Sequence, residues 1–248
     1  LELLKQEIES RYAQFIYTLN HEWLDCLKSK EYDYSTINAY KQYDFFKNHI
    51  APLKQKVAVI ISDALRYEVA HELLNELHKD DKNVSELAYQ IASIPSETSF
   101  GMANLLPGNI YTYDGEIKID GEKTNGIENR DKILKKQSAS YQAVTFETIL
   151  NGTKQSNREL FKTDVIYIYH DIIDKEGHKG TERNVFQSTQ IAIAELAKRV
   201  KDIQGGYGIN KVIVTSDHGF IYNDTEIEEA DKNEIADCEM TEAGARHY

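Results

Sequence analysis

The stretch Val212-Ile213-Val214-Thr215-Ser216-Asp217-His218-Gly219 constrains this chain more than any other, because it sets a β-branched run directly before an acid and an imidazole. A short apolar run of this kind reads as a strand buried on both faces of a parallel sheet. Open α/β sheets carry their chemistry at the carboxyl ends of such strands. Val57-Ala58-Val59-Ile60-Ile61-Ser62-Asp63 repeats the device, and the helical run Arg66 to His78 follows it. A sheet holding both strands aims Asp63 and the Asp217-His218 pair at a common edge.

The 248 residues allow one large domain, or one domain with an accessory piece. From Leu4 to Leu27, apolar residues at Leu4, Ile8, Tyr12, Phe15, Leu19, Trp23 and Leu27 describe one face of a long helix, with packing as its expected role. The aromatic stretch Tyr32 to Ile50 predicts one or two short helices packed on the domain that follows; a base-stacking platform is the alternative, disfavoured by the scarcity of interleaved Arg. Pro52 ends this preface, so residues 1–52 are expected to form a helical segment and residues 53–248 the main domain. Leu1 and the Arg246-His247-Tyr248 end, which falls in mid-pattern, lead us to expect an excised piece of a longer protein, truncated at its C-terminus.

Within the α/β part, Val84 to Ile94 is expected to be a second strand, interrupted by Pro95. An apolar helix from Phe100 to Leu106 would place Thr98 near its N-terminus, where an N-cap role and an anion-binding role are both open. Residues 110 to 125 alternate apolar and polar positions around Asp114-Gly115 and Asp120-Gly121, which signals a hairpin beside the site. The polar stretch from Gly126 to Thr163 suggests short helices near 128–137 and 144–150. Asp164 to His170 is the next strand, and the turn after it holds Asp174 and His178. A helix over 182–203 leads back to the strand at 211–216, and beyond Tyr222 the chain is an acidic, solvated tail.

Asp63, Asp174 with His178, and Asp217 with His218 thus follow three strands, and Thr98 lies on a fourth connection. Carboxylate and imidazole together suit Zn²⁺, or Mn²⁺ as oxygen ligands increase, with one or two ions held. Each pair taken alone also fits a capped turn or a solvated loop. The coincidence of all four connections favours a metal cluster in which Thr98 gains nucleophilic power from a coordinated cation.

Net charge is −12, which argues against extended duplex nucleic acid as a partner of this domain. Mean hydropathy is −0.56 and no apolar run approaches a bilayer span, which argues against a membrane partner. Cys26 and Cys238 have no metal-like spacing, so a reducing cytoplasm is the expected location.

Four segments carry a family resemblance: Val59 to Glu68, Ile94 to Ala103, Tyr167 to Asp174, and Thr215 to Phe220. On these the chain resembles the PglZ domain of bacterial phage-exclusion (BREX-type) defence systems, a branch of the alkaline phosphatase superfamily. The resemblance implies a mostly parallel α/β sheet flanked by helices, with an N-terminal helical segment and a small β-hairpin insert. It also implies a metal-dependent phosphohydrolase, a phosphodiesterase in preference to a monoesterase, acting on a phosphate ester or nucleotide alongside other phage-defence proteins. By the same resemblance Thr98 matches the nucleophile, and Asp63, Asp217 and His218 match the ligands of its metal. Asp174 and His178 look like the Asp-x-x-x-His that holds a second metal in the nucleotide pyrophosphatase/phosphodiesterase branch. His247 is a poor match for that metal's remaining ligand. A catalytically degenerate scaffold that docks defence-complex partners is the alternative, and nothing favours a phosphoglycerate-mutase-like isomerase.

Overall fold

The computed structural model describes residues 2–80, 83–177 and 182–221. The chain divides into two units, Leu1–Ala39 and Tyr40–Tyr248. In the first, α1 (Glu2–Ser29) is braced by i, i+4 ion pairs such as Arg11–Glu7 at 2.8 Å. Leu27 is the one member of its predicted apolar stripe that is buried; Leu4, Ile8, Tyr12, Phe15, Leu19 and Trp23 are exposed, so packing of the stripe is not seen. Left-handed Glu31 and Tyr32 end the helix, and the Tyr32 N–H closes on the Leu27 carbonyl at 2.8 Å.

The second unit is built on strand β1 (Val57–Ser62), whose six residues are all buried. Helix α2 (Tyr67–Leu77) follows, then the seven-residue α3 (Thr98–Asn104). A small antiparallel sheet comes next, made of β2 (Tyr111–Tyr113), β3 (Ile117–Ile119) and β4 (Glu122–Lys123). The chain continues through α4 (Ile127–Gln137), β5 (Tyr141–Thr145), α5 (Phe146–Asn151), α6 (Lys154–Leu160) and β6 (Val165–His170). Helices α7 (Ile172–Gly177) and α8 (Glu182–Gly206) precede the last described strand, β7 (Lys211–Thr215). Among the described residues no helix is long and apolar enough to cross a membrane.

The main sheet is parallel throughout, in the order β5-β6-β1-β7. Its centre consists of the two longest β-branched and aromatic runs, β1 and β6, in register from Val57 opposite Val165 to Ser62 opposite His170. Side chains alternate across a strand, so each face has its own core. Ala58, Ile60, Ile166 and Ile168 pack against α2, α5 and α8 on one face. Val57, Val59, Ile61, Val165 and Tyr167 meet α3, α4, Ile119 and the segment holding Phe45, Phe46 and Ile50 on the other. The fold class read from the sequence, a mostly parallel sheet flanked by helices with a small hairpin insert, is the one observed. At the β3–β4 connection Asp120 and Gly121 both take positive φ, 49° and 84°, as a two-residue primed turn requires.

Two readings of the strands also differ from the structure. Residues 84–94 form no strand: their only pairing is a single parallel bridge between Ile91 and Lys41. Val84, Tyr89 and Ile94 are exposed, so the segment buries no continuous apolar face. Strand β5 went unread because Tyr141-Gln142-Ala143-Val144-Thr145 is short and mixed, and its last residues were assigned to the helix at 144–150. Thr145 instead terminates the strand and caps α5, accepting the Thr148 N–H at 3.1 Å.

The phenol of fully buried Tyr167 donates to the Leu105 carbonyl at 2.9 Å, tying the end of α3 to β6. Tyr167→Phe leaves that carbonyl without its partner. It should lower the unfolding free energy by about 1–2 kcal/mol at unchanged m-value in a urea titration. An unchanged midpoint would show that the bond contributes nothing to stability.

Candidate metal centre

The carboxyl ends of β1 and β7 lie side by side, because Ile61 of β1 is opposite Thr215 of β7. The residues that follow therefore converge. Asp63, Asp217 and His218 are buried, and each offers a ligand atom within 4.8 Å of the others. His218 Nε2 lies 3.6 Å from Asp63 Oδ1 and 3.5 Å from Asp217 Oδ2. Thr98, the first residue of α3, places Oγ1 3.0 Å from the same nitrogen.

Backbone contacts hold each group in place. His218 Nδ1 lies 3.0 Å from the Gly219 carbonyl, which fixes the proton there and leaves the Nε2 lone pair facing Thr98 and the acids. Asp217 Oδ1 accepts the Ala64 N–H at 3.1 Å. Ala64 points that N–H inward by adopting φ 60°, a left-handed conformation that costs an L-residue roughly 1 kcal/mol. Buried Gln42 donates Nε2 to the carbonyls of Ser216, at 3.1 Å, and Asp217, while its Oε1 accepts the Ser93 N–H at 3.2 Å. Gly101 lets α3 come close: a Cβ there would run into the carbonyl oxygen, carbon and Cα of Asp217.

The electrostatics are those of two acids held close together in a buried site. Burial, reinforced by the nearby Asp217 and Asp174 carboxylates, pushes Asp63 up to about 8, with Arg130 opposing. Burial likewise raises Asp217, against the pull of His218 and the Ala64 N–H. Asp63 Oδ1 and Asp217 Oδ2 are both buried with no hydrogen-bond partner. Buried acceptors of this kind are normally satisfied. Two orphaned carboxylate oxygens beside an imidazole lone pair and a hydroxyl are a donor set that fits a divalent ion.

Of the residues singled out from the sequence, the structure brings together Asp63, Asp217, His218 and Thr98. Asp174, in α7, is close enough to act on Asp63 but is not one of the three grouped residues. His178 and His247 lie outside the described residues, and so does any pairing of Asp174 with His178. Gln42, Ala64, Gly101 and Arg130 were missed. Arg130, on α4, sets its guanidinium 4.7 Å over the Tyr169 ring and donates Nε to the Thr124 carbonyl at 2.9 Å. Its signal in the sequence was slight, a lone Arg in a polar helix. Gly101, inside an otherwise apolar helical run, was the one departure from pattern that could have been read as a close approach.

Similarity to known proteins runs through these segments. The family described as "BREX system PglZ alkaline phosphatase-like domain" matches residues 45–247. An alkaline phosphatase-like protein PglZ of Bacillus cereus (strain H3081.97) is 32% identical over 238 residues, which cover 92% of this chain and 28% of that protein. An alkaline phosphatase-like protein BrxZ of Escherichia coli O9:H4 (strain HS) is 33% identical, covering 95% of this chain and 29% of that protein. The chain thus spans less than a third of the length of either relative.

The raised Asp63 pKa gives a stability prediction with a definite sign. A carboxyl whose folded pKa exceeds its unfolded value, about 4, favours the fold while protonated. That contribution is complete below about pH 4 and is lost as pH rises through about 8. Chelator-treated protein should therefore lose thermal stability across this window. Mn²⁺ or Zn²⁺ should restore it most strongly at the alkaline end, where the carboxylates are free to bind. Melting temperatures in chelator that rise with pH would contradict this assignment.

Proposed function

The chain belongs to the family of BREX-system PglZ alkaline phosphatase-like domains, and on that premise we propose that it is a metal-dependent phosphohydrolase acting within a phage-resistance system. The observation that supports this most directly is the Thr98 hydroxyl 3.0 Å from His218 Nε2, beside two buried carboxylates that each leave an oxygen unpartnered. Such a group of acids and an imidazole around a hydroxyl is far more than capping a short helix calls for.

In this reading Asp63, Asp217 and His218 hold a divalent ion, Zn²⁺ or Mn²⁺, with Asp174 and His178 proposed for a second. When bound, the ion supplies Lewis-acid stabilisation of charge at phosphorus and lowers the pKa of the neighbouring hydroxyl. Thr98 Oγ1 forms the new bond to phosphorus and the ester oxygen of the leaving alcohol departs, the hydroxyl proton passing to solvent or to that oxygen. The covalent phospho-threonine or nucleotidyl-threonine is then cleaved by water, which restores Thr98. His218 keeps its Nδ1 proton on the Gly219 carbonyl throughout, and Gln42 keeps the loop that carries Asp217 and His218 in place.

Arg130 pairs with no carboxylate among the described residues, yet its charge is felt at Asp63. We assign it to the non-bridging phosphoryl oxygens, where a fixed guanidinium is worth most as charge develops. A diester leaves one net charge at phosphorus for such a site to balance, which is why a phosphodiester is preferred here to a monoester. The acidic balance of the chain favours a nucleotide or an exposed strand end over a long duplex. In the cell its partners would be the other proteins of the defence system.

Hydrolysis of bis(p-nitrophenyl) phosphate with added Mn²⁺ or Zn²⁺ tests the proposal. Thr98→Ala should reduce turnover to background while leaving the ion bound, and Arg130→Ala should lower kcat by about 10²–10³-fold. Undiminished turnover in Thr98→Ala would remove that residue from the chemistry. A parent protein inactive with every ion tried, and indifferent to Asp63→Ala, would favour the docking-scaffold alternative.

A further inference from the structure

A second concave feature lies beside the candidate metal centre. It is an open groove of about 550 Å³ between α3, the segment holding Tyr43 and the small antiparallel sheet. Helix α3 separates the two. Thr98 and Gly101 face His218 and Asp217, whereas Phe100, Ala103 and Asn104, on the opposite side of the helical turn, line the groove. Tyr43, Asn109, Tyr111 and Tyr113 also line it.

The chemistry of this lining is selective. Phe100 and Tyr113 stack on each other, with centroids 5.9 Å apart and an interplanar angle of 27°, which fixes the two rings for a further ring to stack on the pair. Tyr111 and Tyr113 are each about two-fifths exposed, which leaves ring surface open to a ligand. The side-chain amides of Asn104 and Asn109 make no hydrogen bond among the described residues, and each offers a donor and an acceptor to whatever lies in the groove. Flat aromatic surface flanked by carboxamides matches one chemical class well: a planar heterocycle with donors and acceptors on its edge, that is, a nucleobase. A purely aliphatic ligand would leave the two amides unsatisfied.

We infer that the groove lined by Phe100, Tyr113, Asn104 and Asn109 is a nucleobase subsite, placed across α3 from the nucleophile. The inference deepens the phosphodiesterase reading and rests on it for the ligand's phosphate. A nucleotide lying over the first turn of α3 sets its phosphorus against Thr98 and its base against Phe100 and Tyr113. The small antiparallel sheet then has the task of supplying half of a base-binding face.

Equilibrium binding to the whole chain separates the base from the phosphate. Adenosine 5′-monophosphate, ribose 5-phosphate and adenosine are titrated in turn by calorimetry, with divalent ion present and again with chelator. Adenosine 5′-monophosphate should bind at least about tenfold more tightly than ribose 5-phosphate under both conditions, as expected for base stacking on an aromatic face. Adenosine alone should bind detectably. Phe100→Ala and Tyr113→Ala should each abolish the gap, and Tyr113→Phe, which keeps the ring, should preserve it. Equal affinity for the two phosphates, or a gap that survives both alanine variants, overturns the subsite. A gap in a protein that hydrolyses no diester supports the subsite and counts against the phosphodiesterase reading. Hydrolysis without a gap does the reverse.

Discussion

Repulsion between two buried carboxylates is the constraint around which this domain is arranged. Asp63 and Asp217 follow different strands and meet in a buried site, with ligand oxygens within 4.8 Å. Two like charges at that distance repel by roughly 3 kcal/mol even at an effective dielectric of ~20. No lysine or arginine forms an ion pair with either acid among the described residues, and each leaves an oxygen unpartnered. A fold that needed only stability would pair these acids or place apolar side chains there. Holding them together suits a site in which a positive charge lies between them.

Much of the surrounding structure can be understood as the means of holding that arrangement. The central pair β1 and β6 is buried on both faces and supplies a rigid base for Asp63. Strand β7 is locked to β1 in parallel register, which fixes how far Asp217 and His218 extend beyond the sheet edge. Ala64 in a strained conformation, Gln42 across the loop and Gly101 under it are three separate devices, each acting on the backbone or carboxylate of Asp217. Preorganisation of this kind lets a site stabilise charge without reorganising during the reaction.

The parts of this design that were legible in the sequence are the ones with strong local signals. Strands β1, β6 and β7 are continuous β-branched or aromatic runs, and each is followed by the acid or imidazole that a parallel sheet presents at its edge. Thr98 could be placed at a helix start from the Pro95-to-Ser99 punctuation and the apolar run after it. What stayed hidden depends on contacts between distant positions. Gln42 contacts residues 51 and 175 positions away, and no local pattern marks a glutamine as a clamp. Strand β5 is short and mixed in composition, so the alternation that identifies a strand is weak there. The groove beside α3 requires the hairpin to fold back onto the helix, which sequence spacing alone could not indicate.

The most direct test of the account is the metal content of protein purified without chelator, measured by elemental analysis beside Asp217→Ala. The account predicts at least one equivalent of Zn²⁺ or Mn²⁺ in the parent and its loss in the variant, with the fold retained by circular dichroism. A parent that takes up no divalent ion even when Zn²⁺ or Mn²⁺ is supplied, or a variant that binds as much as the parent, would contradict it.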